Sequence, residues 1–245
     1  MTDVAHAARL ELERLLHTEA RALHADLPPG FADAAEAYVR LLLEANARLN
    51  LTRVVDPDGI ARLHLLDSIA VLPQMPPRVA RAVDVGSGGG VPGIVLAIAR
   101  PAVRWTLVDS VGKKAEALRS FGAAIGLTNV EVLTERAETL GRGPSRESFD
   151  LVTARACASL PVLAEYALPL LRIGGRLIAW KGRIAADELA AGAAASALLG
   201  GGAPTERPTG LPVLGDHRFV IITKRASTPD RLPRRPGEPG RRPLG

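Results

Sequence analysis

Residues 84–93 read DVGSGGGVPG, a glycine-rich stretch between a short apolar β-type run at 82–85 and an apolar helical run at 94–99. Glycines let the backbone turn tightly and lie close to a ligand, and the N-terminus of the following helix offers unpaired N–H groups and a partial positive charge. The stretch therefore predicts a strand–loop–helix unit that binds a nucleotide-like ligand carrying an anionic group.

The spacing of these glycines argues against a nicotinamide cofactor. Gly86, Gly88 and Gly90 form the pattern G-x-G-x-G, and Val91 stands where the dinucleotide fingerprint G-x-G-x-x-G has its third glycine. A nicotinamide-dependent dehydrogenase is therefore the less favoured interpretation of this loop.

Strand and helix signals alternate from about residue 80 onward. Alternation of this kind predicts a mostly parallel sheet with helices on both faces, the doubly wound, Rossmann-like α/β fold. Residues 185–203, which are rich in Ala and Gly, predict only a loosely specified helix and loop. The β-type runs lie at residues 82–85, 105–108, 130–133, 151–154, 177–180 and 219–223.

The chain divides into three predicted parts. Residues 1–78 predict a helical N-terminal extension that ends at the Pro-rich run 73–77, and residues 79–226 predict the nucleotide-binding core. Residues 227–245 hold five prolines and no apolar period, which predicts an extended, mobile tail. One helical stripe in the extension consists of Tyr38, Leu41, Leu42, Ala45 and Leu49.

The net charge of +5 is located at the C-terminus. Residues 224–245 hold seven Lys or Arg and two Asp or Glu, whereas the rest of the chain holds 24 of each kind. A cationic segment on a neutral body is typical of an electrostatic arm for a polyanion, because contacts to phosphates release condensed counterions. The alternative is a disordered end that only aids solubility.

Composition narrows the class of protein further. The 245 residues are 47% hydrophobic, which suffices for one well-covered core. A single cysteine, Cys157, rules out an internal disulfide or a cysteine-based metal cluster, and we expect no metal. No apolar run approaches the roughly 18 residues of a membrane span, and the N-terminus has no apolar signal region. We therefore expect a cytoplasmic protein without membrane contact, and a monomer.

Two acidic residues follow predicted strands at the edge where a doubly wound sheet binds its ligand. Asp109 ends the second strand, 23 residues after Gly86, where a carboxylate can accept both hydroxyls of an adenosine ribose; a helix cap is the alternative. Glu138 follows the third strand and is interpreted as an adenine-side residue or, alternatively, a solvated charge.

Together with the glycine stretch, five further motifs resemble the bacterial 16S ribosomal RNA guanine-N7 methyltransferase G family, also called glucose-inhibited division protein B. These motifs are LLDS at 65–68, LVDS at 107–110, RAE at 136–138, TARACASL at 153–160 and AWKG at 179–182. The resemblance runs from about residue 46 to the tail. It implies a class I methyltransferase fold with a seven-stranded sheet and S-adenosylmethionine as cofactor. It also implies methyl transfer to N7 of a guanine in the 530 loop, with 16S ribosomal RNA or the small ribosomal subunit as partner.

The resemblance also implies cofactor contacts, to which we add Gly88 and Asp109 from their positions. Arg155 can donate in a fork to the acceptor edge of guanine or to the methionine end of the cofactor; pairing with a local acid is the alternative. The implied contacts are Gly86, Val91, Ala137, Glu138 and Arg155.

Methylation of guanine N7 needs no general base, because N7 carries an in-plane lone pair at neutral pH. We therefore assign no catalytic residue and expect positioning to supply the rate. For His64 a substrate contact and a satisfied helix histidine are alternatives, and Asp67, at i+3, is its candidate intrahelical partner in the second case. Cys157 is interpreted as a small core residue rather than a nucleophile. The candidates for holding the guanine or its phosphate are Arg136, Arg155, Lys181 and His64.

Two other functions fit parts of the sequence. A small-molecule methyltransferase could use the same fold, although it would not need a tail with a charge of +5. A noncatalytic protein that binds RNA or the ribosome could retain the pocket, although loss of the glycines or of Asp109 would then be expected, and both are present.

Overall fold

A seven-stranded sheet forms the centre of the computed structural model, which describes residues 3–23 and 26–245. The strand order is β3-β2-β1-β4-β5-β7-β6; β7 runs antiparallel to both of its neighbours, and the other pairs are parallel. The expected doubly wound, mostly parallel seven-stranded sheet is confirmed. The strands are β1 Arg81–Val85, β2 Arg104–Asp109, β3 Val130–Thr134, β4 Phe149–Arg155, β5 Leu171–Lys181, β6 Thr205–Pro208 and β7 Arg218–Thr223.

Helices cover both faces of this sheet, because its central strands are apolar on both sides. The described residues of the N-terminal region also pack on the sheet: Leu12, Leu42 and Ile60 belong to the same hydrophobic core as Leu107 of β2. The α-helices are α1 Val4–Leu23, α2 Phe31–Leu49, α3 Pro57–Gly59, α4 Asp67–Ile69, α5 Gly93–Ala99, α6 Gly112–Ile125, α7 Ala137–Leu140, α8 Leu160–Ala167, α9 Ala186–Leu198 and α10 Glu238–Arg241.

Residues between α3 and α4 form a π-helix, Ile60–Leu66, within the N-terminal region that the sequence predicts to be helical. Backbone hydrogen bonds there join residues five apart, so a turn is wider than in an α-helix. A side chain at i+3 therefore no longer lies on the same face as residue i.

Among the described residues, no helix is both long and apolar enough to cross a bilayer.

The sequence gives no usable signal for β6. Its residues Thr205–Pro208 are mostly exposed, and Pro208 cannot donate to a ladder. Such a strand is tolerated because β6 lies at the edge of the sheet and pairs with β7 on one side only.

The prediction of an extended, mobile tail is wrong. Residues 227–245 fold back onto the body, and Leu232 is buried in a second hydrophobic core, which also contains Leu160 and Leu163 of α8. Arg234 binds the fully buried Glu165 of α8: its Nε lies 2.9 Å from Oε1 and its Nη2 lies 2.5 Å from Oε2. The backbone N–H of Gly237 donates to Glu138 Oε1 at 2.7 Å. Local composition cannot show these contacts, because the acids lie 69 and 99 residues away in the sequence.

A buried lysine marks the point where this C-terminal segment leaves the sheet. Lys224 is fully buried, and its Nζ donates to the carbonyl oxygens of Leu168 at 2.8 Å and Leu199 at 3.1 Å. The same ammonium lies 3.3 Å from Glu147 Oε1 and contacts the hydroxyl of Thr228. Burial lowers the pKa of Lys224 to about 8, and Glu147 opposes that shift.

Replacing Lys224 by Met should therefore destabilise the fold. We expect a loss of about 3 kcal/mol in the free energy of unfolding, the low end for breaking a buried ion pair, because Glu147 is partly exposed and rehydrates. Urea unfolding followed by circular dichroism measures the loss. Lys113→Met, at an exposed position of α6, is the matched control and should change stability by less than about 0.5 kcal/mol. Equal losses in the two variants would contradict the anchoring role of Lys224.

Candidate active site

A cavity of about 360 Å³ opens at the carboxyl ends of the central strands. Val85 of β1 pairs in register with Val108 of β2 and Ala154 of β4, so the three strands end at one level. The cavity is lined by Val85, Gly86, Gly88, Val108, Asp109, Ser110, Val111, Lys114, Glu135, Arg136, Ala137, Glu138, Arg155, Ala156, Cys157 and Tyr166. A larger hollow, of about 760 Å³, lies between α2 and α6 and shares no lining residue with this cavity.

Gly86 forms the floor of the cavity where the chain leaves β1. Its φ is +73°, and a Cβ built on it would lie only 2.9 Å from Cβ of Cys157. The N–H groups of Gly86 and Ser87 both donate to the carbonyl of Val108, at 2.9 and 3.1 Å. Tyr38 of α2 fixes the loop from the other side, because its hydroxyl donates to the Gly89 carbonyl at 2.8 Å. A side chain at position 86 would strain this backbone and take up cavity space.

Asp109 accepts hydrogen bonds from the loops that follow β1 and β2. Its Oδ2 accepts from the N–H of Gly88 at 2.9 Å, and its Oδ1 accepts from the N–H of Val111 at 2.8 Å. The helix cap that the sequence offers as an alternative is not formed, because α6 begins after Val111 without a side-chain cap and Asp109 bonds to the turn before the helix. The bond to the glycine loop is an addition that spacing alone does not show. Each carboxylate oxygen keeps a further lone pair that can accept a hydroxyl hydrogen.

The predicted adenine-side residues also line the cavity. Glu138 is 1% exposed, and one of its oxygens accepts from Gly237 of the C-terminal segment. Ala137 and Tyr166 stand beside it, and Tyr166 carried no signal in the sequence. Val91 lies outside the cavity lining and packs, partly buried, against the hydrophobic core. The glycine loop turns at Gly90, where φ is +99°, and this turn separates Val91 from the cavity.

Arg155 lies at the end of β4. It lines the cavity and also pairs with a local acid, so both alternatives for this residue hold together. Its Nη1 lies 3.2 Å from Oδ2 of Asp67, a carboxylate only 1% exposed. The other oxygen of Asp67 lies 3.2 Å from Nδ1 of His217, and this hydrogen bond raises the pKa of His217. Asp67 therefore holds Arg155 in place while the guanidinium borders the ligand space.

The candidate pair of His64 with Asp67 is not formed, because the π-helix turns position i+3 away from His64. His64 lies outside the cavity lining, is 6% exposed, and has Nε2 2.7 Å from the hydroxyl of Thr52. Burial and, secondarily, the charge of Arg155 lower its pKa to about 4, so the imidazole is neutral at pH 7. This placement removes the structural support for a direct contact between His64 and guanine.

The other candidates for holding the guanine divide between the cavity and its surroundings. Lys181 is outside the cavity lining, where its Nζ donates to Glu188 at 2.7 Å and to the Ala158 carbonyl at 3.0 Å. Arg136 lines the cavity and is exposed. Only Arg136 and Arg155 of the four candidates therefore face the ligand space in the described residues.

Cys157 is not the core residue that the sequence suggested. It is exposed on the cavity wall beside Gly86, and its thiol lies 3.6 Å from the Val85 carbonyl. Although the residue is exposed, its sulfur is desolvated, and this effect, followed by repulsion from Asp84, raises the pKa of the thiol to about 12. The thiol is therefore protonated at pH 7 and a poor nucleophile.

This fold, with a cavity at the carboxyl ends of its central strands, is that of a class I methyltransferase, a doubly wound α/β protein. The S-adenosylmethionine-dependent methyltransferase SibL has a similar fold, with a TM-score of 0.50 at 18% identity over 81% of this chain and 74% of that chain.

Sequence comparison identifies the family. The model of the family described as rRNA small subunit methyltransferase G matches residues 32–204. Ribosomal RNA small subunit methyltransferase G of Chloroflexus aggregans is 48% identical over 210 residues, covering 85% of this chain and 88% of the relative. The protein of the same name from Roseiflexus sp. is 43% identical over 234 residues, covering 95% and 100%. The chain belongs to the rRNA small subunit methyltransferase G family, and S-adenosylmethionine is its methyl donor.

Adding one methyl group at Gly86 should disable the cavity. We expect Gly86→Ala to lower the affinity for S-adenosylmethionine at least about tenfold, or ~1.4 kcal/mol, because the new Cβ displaces Cys157 or the loop into the ligand space. Gly30→Ala is the matched control: its φ is +78°, but its Cβ meets no atom within 4 Å. Isothermal titration calorimetry of the two folded variants measures the difference. Equal cofactor affinities would show that the loop at Gly86 does not contact the cofactor.

Proposed function

We propose that the protein transfers a methyl group from S-adenosylmethionine to N7 of a guanine in the 530 loop of 16S ribosomal RNA. The observation that carries the proposal is the family match over residues 32–204, a range that contains every residue lining the cavity. Relatives over nearly the whole chain are named for the RNA of the small ribosomal subunit.

The cavity has the size and polarity that the cofactor needs. Its volume of about 360 Å³ lies within the range of small-molecule sites, and its floor at Gly86 leaves the backbone open to a ligand. When bound, S-adenosylmethionine supplies an electrophilic methyl group on a sulfonium. We assign the ribose hydroxyls to the carboxylate of Asp109 and the adenine to the wall formed by Ala137 and Glu138.

Methyl transfer to guanine N7 depends mainly on how the base is positioned against the methyl group. N7 attacks with a lone pair that carries no proton, so the protein must hold an extruded base in line with the methyl group and exclude water. Arg155 suits this role because Asp67 fixes it, and its fork can donate to the acceptor edge of guanine or to the cofactor's carboxylate. Arg136 is exposed at the same cavity and suits a phosphate of the flipped nucleotide.

We also propose that the enzyme works as a monomer in the cytoplasm. The location rests on the proposed ribosomal RNA substrate. The monomer is supported by the scatter of the exposed large apolar residues along the chain: Leu10 lies in α1, Ile173 in β5 and Leu198 in α9, and Val55 and Val111 lie in loops. In this proposal residues 79–226 carry the cofactor site, and residues 1–78 brace its glycine loop through Tyr38.

Removing the Asp109 carboxylate should weaken cofactor binding specifically. We expect Asp109→Ala to lower the binding free energy of S-adenosylmethionine by about 1 to 3 kcal/mol, because ribose hydroxyls and the Gly88 N–H lose their acceptor. Asp150→Ala is the matched control, since Asp150 also accepts two backbone N–H groups, from Ala80 at 2.7 Å and Arg81 at 2.9 Å. Both variants should lose stability, but only Asp109→Ala should lose cofactor affinity. Unchanged affinity in Asp109→Ala would leave Asp109 only the structural role of holding the backbone at Gly88 and Val111.

The substrate is tested by labelled methyl transfer to four acceptors: protein-free 16S ribosomal RNA, unmethylated small subunits, a short 530-loop hairpin and free guanosine. We expect label in RNA, mapped to one guanine N7 by strand cleavage at the methylated base. Cys157→Ala should retain the activity, because the protonated thiol plays no part in attack at N7. Label only in guanosine would favour the small-molecule alternative. If the unaltered protein methylates a pyrimidine and Cys157→Ala does not, Cys157 acts as a nucleophile.

A further inference from the structure

Three arginines of the C-terminal segment share one hollow of about 390 Å³ on the surface. Arg235, Arg241 and Arg242 line it together with Glu238, and all three arginines are exposed. We call these three residues the C-terminal arginine cluster.

The cluster is held in a fixed position rather than on a mobile arm. Arg234, next to Arg235, makes a two-pronged bond to the buried Glu165. Pro239, inside α10, is buried, and the Arg241 Nε donates to the Gly237 carbonyl at 3.3 Å, which orients that guanidinium. An arginine held in this way loses less conformational freedom when it binds a ligand.

The same segment adjoins the cofactor cavity. Gly237 donates to Glu138, and a Cβ built on Gly240 would lie 3.8 Å from the hydroxyl of Tyr166. Glu138 and Tyr166 both line the cavity. The C-terminal arginine cluster therefore lies beside two residues of the cavity wall.

The cluster also carries charge that the protein leaves unneutralised. Within residues 3–23 and 26–245, none of its three guanidiniums has a carboxylate within 4.0 Å, whereas their neighbour Arg234 is paired. Glu238 is the one acidic group of the hollow, which leaves a net charge of +2. A guanidinium group can donate two parallel hydrogen bonds to two oxygens of a phosphate group, and the three guanidiniums that line this hollow have no acidic partner to compete for those bonds.

We propose that the C-terminal arginine cluster binds a phosphate group of the RNA strand whose guanine enters the cofactor cavity. The inference rests on the proposed function and adds the surface that docks the substrate. Phosphate contacts fix the register of a protein on a nucleic acid, and a clamp beside the cavity would hold the strand while one base is extruded.

The test compares two triple variants with equal changes in charge. R235Q/R241Q/R242Q removes the cluster, and R78Q/R104Q/R207Q removes three exposed arginines that likewise have no ion-pair partner among the described residues and do not line the hollow. The affinity for protein-free 16S ribosomal RNA is measured at several salt concentrations, alongside methyl transfer and S-adenosylmethionine binding.

We expect the cluster variant to bind cofactor as the unaltered protein does, and its KM for RNA to rise about five- to tenfold. The slope of log affinity against log salt should become shallower by about 0.7 to 0.9 for each phosphate that the variant no longer neutralises. The control variant should keep the slope, and Glu238→Gln should strengthen RNA binding, because it removes a charge that repels phosphate.

Equal slopes in the cluster variant and the unaltered protein would overturn the proposal, as would equal decreases in RNA affinity in the two triple variants, which would indicate only a general effect of net charge. These outcomes are distinct from failure of the proposed function. An unaltered protein that methylates no RNA contradicts the function, whereas an active protein indifferent to R235Q/R241Q/R242Q contradicts the docking surface alone.

Discussion

The parallel pairing of β1 with β2 and β4 is the constraint on which the site depends. This register brings Val85, Val108 and Ala154 to one level, and the next residues of each strand then meet around one crevice. The glycine loop leaves β1, Asp109 ends β2 and Arg155 ends β4. The N–H groups of Gly86 and Ser87 donate to the carbonyl of Val108 in β2, so the sheet fixes the position of the loop.

Buried carboxylates connect the peripheral segments to this crevice. Asp67, from the N-terminal region, holds Arg155, while Glu138 and Glu165 receive the C-terminal segment. A buried carboxylate is costly unless partners compensate it, so these contacts fix where the outer segments can pack. Residues from all parts of the chain therefore surround the proposed cofactor site, so that substitutions far from the strand ends can alter its shape.

The features that the sequence predicted are those with local signatures. Glycines at fixed spacing, apolar runs of strand length and an acid at a strand end each depend on neighbouring residues only, and the structure places Gly86, Gly88 and Asp109 together at one cavity. The features that the sequence misplaced depend on distant partners. The residues next to Arg234 do not indicate that it pairs with Glu165 of α8, and the residues next to His64 do not indicate a π-helix. The charge of residues 224–245 predicts an arm for a polyanion, but two cations of this segment, Lys224 and Arg234, pair with the partly buried Glu147 and the buried Glu165.

The central claim is that the crevice at the strand ends is a site for S-adenosylmethionine, and its most direct test is thermal unfolding with S-adenosylmethionine or with NAD. A ligand at 100 times its dissociation constant stabilises the folded state by about 2.7 kcal/mol. For a chain of this size, that corresponds to a rise in Tm of roughly 5 to 10 °C. We predict this rise with S-adenosylmethionine and no change with NAD. A rise with NAD and none with S-adenosylmethionine would contradict the account.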